Sequence, residues 1–305
     1  MLDGIINIYK EKGYTSHDVV AKLRRITGQK KIGHTGTLDP DAEGVLPVCL
    51  GKATKLCEYI TDKDKEYIAR VKLGVTTDTL DMSGNILSES KFTGNVSDIE
   101  KACESFSGDI MQIPPMYSAI KVGGKKLYEL ARNNIEIDRK PRAVHIYDIK
   151  ASDYDSKMGE FTLYAHVSKG TYIRTLIDDI GRALGSFSCM SELTRTYTGN
   201  IDVSETIKLS ELENIFKDGN IDSVLIKPDV PFSDIGKITI EEEFSKLLYN
   251  GNKIAEYMIK ESDFDAFDNI NMARVYDSHG AFIGIYERDG DILRTKVFLY
   301  DMNRV

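Results

Sequence analysis

The sequence predicts a fold of mixed strands and helices in two parts, a larger portion followed by a small β-rich module. Three observations carry that expectation. Segments that alternate apolar and polar residues, such as 65–74 and 160–167, stand among segments with helical spacing, such as 15–28 and 171–185. Pro228 and Pro231 bracket a change of texture that reads as a linker. Beyond them come hairpin-like runs, "NMARVYD", "AFIGIYE" and "ILRTKVFLY", with turns at "SHG" and "RDGD". A chain of 305 residues accommodates this division, expected at 1–232 and 233–305.

In order along the chain, "GIINIYK" is a β-type run. "TSHDVVAKLRRITG" reads as a helix capped by Thr15 or Ser16, with Asp18 in its first turn and Gly28 closing it. Its apolar stripe is Val19, Val20, Leu23 and Ile26. The strand at 65–74 turns Tyr67, Ala69, Val71 and Leu73 to one face, the one expected to be buried. "TTDTLDMSGN" is a polar, turn-rich connection, and a helix follows around residues 99–106. Pro114-Pro115 and Gly123-Gly124 then interrupt regular structure in a basic, tyrosine-bearing segment at 121–142. "TYIRTLIDDIGRALG" is helical through Ile173, Leu176, Ile177, Ile180 and Leu184, with Gly185 ending it. A last short helix is expected at 241–249.

Composition narrows the function. Hydrophobic residues make up 41% and charged residues 29%, as in ordinary globular proteins. No apolar run is long enough to span a bilayer, and "MLDGIINIYKEKG" lacks the basic start and apolar block of an export signal, so the expected location is the cytoplasm. The four cysteines form no CxxC pair and the five histidines no HExxH arrangement; buried, reduced thiols and no metal site are expected. The formal net charge of −8 argues against nucleic acid, but charge is unevenly spread. From Val19 to Leu38 there is no acidic residue, while Lys22, Arg24, Arg25, Lys30 and Lys31 are basic. A second basic stretch holds Lys121, Lys125, Lys126, Arg132, Arg139, Lys140 and Arg142, with Tyr117 and Tyr128. Basic and aromatic residues on a projecting loop suit RNA, with its phosphates and unstacked bases.

The chemistry centres on "GHTGTLDP" (33–40), which fixes Asp39 between Leu38 and Pro40. No P-loop accompanies it, because Gly44 and Gly51-Lys52 have the wrong spacing, and no G-x-S-x-G elbow is present. Arg174 lies in the first turn of its helix, where a cation opposes the helix dipole. That position suggests a carboxylate partner held bidentately. A carboxylate beside an arginine is expected to have a lowered pKa and to stay ionised. It can then attack an electrophilic carbon or accept a proton.

The chain resembles the tRNA pseudouridine synthase B family in four motifs, ordered from about residue 4 to about 200. They are "GHTGTLDPDAEGVLP", the "KxY" strand at Lys65-Glu66-Tyr67, "PPMYSA" at 114–119 and "SKGTYIRTL" at 168–176. The resemblance implies a mixed-sheet α+β pseudouridine synthase catalytic domain with a cleft and, less specifically, a PUA-like RNA-binding β-barrel at the C-terminus. Neither follows from periodicity alone. The implied activity is isomerisation of the T-loop uridine at position 55 of tRNA to pseudouridine. Asp39 is the implied catalytic acid, attacking at C1′ or C6. Arg174 pairs with it and Tyr67 lies against the uracil. His34 fills the space the flipped base leaves, and Tyr172 and Leu193 match further pocket positions. Lys22, Arg25, Lys30, Lys31, Lys125, Lys126 and Arg142 are the expected RNA-backbone contacts, with 121–142 as the clasping loop. The implied partner is the tRNA T stem-loop, with no cofactor, no obligate protein partner and a monomeric state. Two other readings are a guide-RNA-dependent synthase and a non-catalytic RNA-binding or RNA-folding protein; the long basic loop and the intact Asp39, Tyr67 and Arg174 argue against them. The sequence departs from the family at Glu11, where a proline is usual, and at Thr194, where an arginine is usual.

Overall fold

A computed structural model describes residues 2–133 and 135–300. The larger portion is built from β1 (Gly4–Lys10), α1 (Ser16–Thr27), β2 (Ile32–His34), β3 (Glu43–Leu50), α2 (Cys57–Thr61) and β4 (Lys65–Leu73). Then come β5 (Val75–Thr77), β6 (Ile86–Glu89), α3 (Val96–Glu104), β7 (Gly108–Gln112), β8 (Lys121–Val122), β9 (Lys125–Lys126) and α4 (Leu127–Ala131). It continues through β10 (Arg142–Asp155), β11 (Glu160–Val167), α5 (Ile173–Ala183), β12 (Ser188–Thr198), β13 (Ile201–Asp202) and α6 (Leu209–Lys217).

Its main sheet runs β1-β3-β12-β4-β11-β10-β7, with β2 beside β3 and β13 beside β12. The β3–β12 pair is parallel and confined to Thr194–Glu43 and Arg195–Gly44; the other pairs are antiparallel. One face of β4 and β11 buries Tyr67, Ala69, Val71, Phe161, Leu163 and Ala165. Against it pack α3 through Ile99 and α5 through Ile173, Leu176, Ile177 and Ile180. Alternation in the strands and the 3.6-residue stripe of α5 meet in one core, at about 1.5–3 kcal/mol per buried aliphatic side chain.

Local signals behave as their chemistry requires. Thr15 caps α1 in a capping box with Asp18, and Gly28 ends it at φ 66°. Ile26 is only half-buried, however. Asn95 caps α3, so this helix begins and ends earlier than its apolar residues suggest. Gly123 and Gly124 both take positive φ, as the two-residue β8–β9 turn demands. Asn134, within the 121–142 segment, lies outside the described residues.

The second sheet uses β14 (Lys237–Ile240), β15 (Ile254–Ala255), β16 (Ile259–Ser262), β17 (Met272–Tyr276), β18 (Phe282–Asp289) and β19 (Ile292–Phe298). Its order is β15-β19-β18-β17-β14-β16, a nearly closed barrel. The expected helix at 241–249 is a 3-10 turn followed by α7 (Ser245–Tyr249). The segment at 228–231 is not a free linker. Pro231 and Phe232 are buried, and Asp229 accepts a 2.6 Å hydrogen bond from the Tyr276 hydroxyl. Phe232 joins Ile285, Val297 and Leu299 of the small module to Ile5, Cys49, Ala53, Leu56 and Ile60 of the larger portion in one shared core. The prolines do break regular structure, but their apolar neighbours pack the segment down. Among the described residues, no helix is long and apolar enough to cross a membrane.

Candidate active site

The loop bearing Asp39 is pinned on both sides. Thr35, fully buried, sends its backbone N–H and its hydroxyl to the Pro47 carbonyl, both at 3.1 Å. Leu38 is buried against the main core, and its N–H donates to Ser16 Oγ of α1 at 3.0 Å. Ala42 N–H closes a turn onto the Asp39 carbonyl. Beneath lies Lys10, 0% exposed, whose ammonium donates to the carbonyls of Pro40 (3.1 Å), Ala42 (2.6 Å) and Glu11 (3.3 Å). Burial pushes the Lys10 ammonium down to about 8, against the attraction of Asp39 and Glu43. With Glu11 in the usual proline position the turn still forms, and Gly13 N–H donates to the Pro40 carbonyl at 2.9 Å.

Arg174 meets Asp39 side-on. Its Nε stands 2.9 Å from Asp39 Oδ2, and Nη2 donates to Oδ1 at 3.3 Å. The remaining donors reach the carbonyls of Thr79 (2.7 Å, from Nη1) and Tyr117 (2.9 Å, from Nη2). Nη1 also faces Asp81 Oδ2 at 3.7 Å. One buried guanidinium thus ties α5 to three loops: 39, 79–81 and 117. A planar five-donor fork does this; an ammonium cannot.

Asp81 is a second carboxylate in the site, one that the sequence presents only as a turn former in "TTDTLDMSGN". Its Oδ1 accepts from Thr79 Oγ1 (2.8 Å) and from Ser83. Leu80, between the two Arg174 contacts, sits at φ 62°, which costs a branched residue about 1–3 kcal/mol. The strain is held by Met190, whose N–H donates to the Leu80 carbonyl.

The two acids correct the expectation of a lowered pKa. The Asp39 carboxyl is held above the usual carboxylate range. Burial is the first cause and the Asp81 charge adds to it; Arg174 and Lys10 oppose both. The side chain keeps 37% of its surface exposed, and burial of the rest against the protein sets the direction. An acid limb of kcat/KM above the pH of an ordinary aspartate follows. Asp81→Asn keeps the Oδ1 acceptor and removes a like charge, so it moves that limb to lower pH. A pH–rate profile whose acid limb stays put or rises in Asp81→Asn contradicts this coupling.

The other expected residues surround this pair. Tyr67 is buried in β4, in register with Ala165 and Arg195, and shares a core with Leu38, Ile173 and Leu193. Tyr172 precedes α5, its backbone N–H and carbonyl both held by the buried Gln112 side chain at 2.7 and 3.1 Å. Burial raises its phenol. His34 ends β2, its Nδ1 3.2 Å from the Gly36 carbonyl and its ring edge-on to His17. Burial, then the neighbouring His17, lowers its pKa. Of the basic residues, Arg142 is near enough to Tyr172 to favour its ionised form. Arg25, Lys30 and Lys31 are exposed and Lys22 half-buried; Lys125 and Arg142 are exposed, and Lys126 lies over the Tyr128 ring. Among the described residues no cluster of His, Cys, Asp or Glu is arranged to hold a metal ion.

Residues 24–173 match the TruB family pseudouridylate synthase N-terminal domain, and 174–228 the tRNA pseudouridylate synthase B C-terminal domain. The tRNA pseudouridine synthase B of Lachnoclostridium phytofermentans is 48% identical, covering 94% of this chain and 96% of that protein. Those of Clostridium acetobutylicum (44%; 93% and 95% covered) and Bacillus pumilus (40%; 94% and 93% covered) are similar throughout. Among solved structures, a chain of a Cbf5-Nop10-Gar1 complex matches with a TM-score of 0.76 at 26% identity, covering 98% of this chain and 86% of that one. A paired catalytic-type carboxylate in an anchored GHTGTLDP loop, on this fold and with relatives matched over nearly their whole length, has one reading: the chain belongs to the tRNA pseudouridine synthase B family.

Proposed function

We propose that this enzyme isomerises the T-loop uridine at position 55 of tRNA to pseudouridine, with Asp39 as the covalent catalyst. The observation that carries the reading is the side-on Asp39–Arg174 pair at 2.9 Å in a loop fixed by Leu38, Thr35 and Lys10. The target base leaves its stack to reach the site. Tyr67, Leu193 and Tyr172 supply apolar and aromatic walls, and His34 takes the place the base vacates. The ionised Asp39 attacks C1′ or C6. The N-glycosidic bond breaks, the uracil turns and C5 joins C1′; the bond to Asp39 then breaks to restore the carboxylate, the C5 proton is released and N1 takes up a proton. Atoms of substrate and product are the same, so the isomerisation consumes no oxidant and no group donor. Tyr67 faces the base as the deprotonation proceeds. Residues 1–232 carry catalysis and 233–305 act as a PUA-like RNA-contacting module. It acts as a cytoplasmic monomer, and the long basic loop at 121–142 supports action without a guide RNA.

Tritium release from a tRNA transcript labelled at uridine C5 tests this directly, since release needs the C5–H bond to break. No release by the wild-type enzyme, with tRNA bound, refutes it. The role of the basic loop is tested separately by neutralising Lys121, Lys125 and Arg142 to Gln. The slope of log affinity against log salt then flattens by about 0.7–0.9 for each phosphate that the loop no longer neutralises. An unchanged slope shows that these residues do not touch phosphate.

A further inference from the structure

Arg195 is among the largest fully buried side chains of the molecule, at 1% exposure. It lies on β12 where that strand meets β3 in parallel, with Gly44 beside it and Tyr67 opposite. A Cβ on Gly44 would stand 2.2 Å from the Arg195 carbonyl, so the strands close here only over glycine. The guanidinium spends one donor, Nε, on the Val45 carbonyl at 2.7 Å. Its Nη2 is buried with no hydrogen-bond partner, and no carboxylate among the described residues pairs with it. Nη1 points to the GHTGT loop, 3.7 Å from where a Cβ on Gly36 would lie.

Two further buried cations adjoin it. Lys10, at 0%, and Lys65, at 8% exposure, donate only to backbone carbonyls, and each is pushed down to about 8 by burial and then modulated by charges that include Arg195. A buried guanidinium with an unused donor and no counter-ion is costly, and the cost calls for an explanation. The unused donor is Nη2, its neighbour Nη1 faces Gly36, and a negative group is the natural partner of such a fork.

We propose that Arg195 is an anion-binding residue that takes one phosphodiester of the bound RNA beside the target uridine. This rests on the tRNA-modifying reading above. The phosphate approaches from the side of Gly36, the loop residue that Nη1 faces, and reaches the guanidinium, 1% exposed in the free protein, as the loop moves aside on binding. Gly36 has φ 105°, a conformation open to glycine, and it lies between the anchors at Thr35 and Leu38, where the loop can yield. The guanidinium fork and a phosphate match bidentately. The same contact draws the GHTGT loop, with His34 and Asp39, against the RNA strand that carries the flipped base.

The test uses the full chain and a T stem-loop RNA with Arg195→Met and Arg195→Lys. Arg195→Met is expected to weaken RNA binding about tenfold and to flatten the salt slope by about 0.7–0.9, one phosphate's worth. Its melting temperature without RNA is expected to hold or rise, because the unpaired charge is gone. Arg195→Lys keeps the slope and loses part of the affinity. Stem-loops with a single uncharged methylphosphonate linkage then locate the contact. One linkage flanking the target weakens binding to the wild type and has no further effect on Arg195→Met, or on Arg195→Lys should the Met variant not fold. An unchanged slope in Arg195→Met, or a fall in melting temperature with RNA affinity intact, overturns the proposal and makes Arg195 a structural residue. Wild-type tritium release in the same preparation separates this failure from failure of the enzymatic reading.

Discussion

Asp39→Asn is expected to abolish turnover, with tritium release falling by on the order of 10⁴-fold or more, the scale set by removing a nucleophile. Asn has the same shape and its carbonyl oxygen still accepts from Arg174, so the loop keeps its place. What goes is the negative charge that the proposed covalent step requires. Affinity for tRNA is expected to stay within a few-fold, because the deleted charge is an anion facing a polyanion. Stability is expected to change little. A carboxyl whose folded pKa is raised is, when ionised, a liability to the fold, and it destabilises increasingly as pH rises through that pKa. Replacing it with a neutral isostere removes that liability, while Arg174 keeps Asp81 and two carbonyls. Turnover surviving within a hundredfold of wild type sinks Asp39 as the covalent catalyst.

Much of the molecule is legible in the sequence because it is local. Capping by Thr15, closure at Gly28, the inward face of Tyr67 and the stripe of α5 follow from spacing and turn chemistry. Arg174 is legible for a different reason: a cation at a helix N-terminus conflicts with the dipole, and the structure shows a carboxylate beside it. The residues that spacing does not reveal are those whose partners are distant in sequence. Asp81 sits 93 positions before Arg174, in a run indistinguishable from a surface turn. Lys10 ends a strand as an ordinary lysine would, yet it is wholly buried under carbonyls some thirty residues away. Arg195 reads in the sequence as half of a depleted arginine pair. A single neighbouring arginine predicts a lowered Asp39 pKa; the wall and the second acid that reverse it come only from tertiary packing.

Arg174→Met is expected to lower kcat by about 10³-fold and to raise the acid limb of the pH–rate profile. The guanidinium is the nearest positive charge to Asp39, so its removal leaves burial and Asp81 to push the carboxyl further up, and less of it is ionised at neutral pH. Loss of orientation adds to loss of charge: Asp39, the strained turn at Leu80 and the Tyr117 carbonyl are all held by that one fork. Breaking a fully buried ion pair costs about 3–5 kcal/mol. Here Asp39 is about one-third exposed and water can take up part of its charge, so a loss of about 2–3 kcal/mol is the expectation, read from denaturant midpoints. Arg174→Lys separates the two contributions. Its ammonium keeps the acid limb near the wild-type position, but it cannot serve Asp39, Thr79 and Tyr117 together, so kcat still falls, by about 10²-fold. If Arg174→Met retains the wild-type acid limb, the arginine does not set the ionisation of Asp39. If Arg174→Lys has wild-type kcat, charge alone suffices and the three-loop tether is not part of the catalytic geometry.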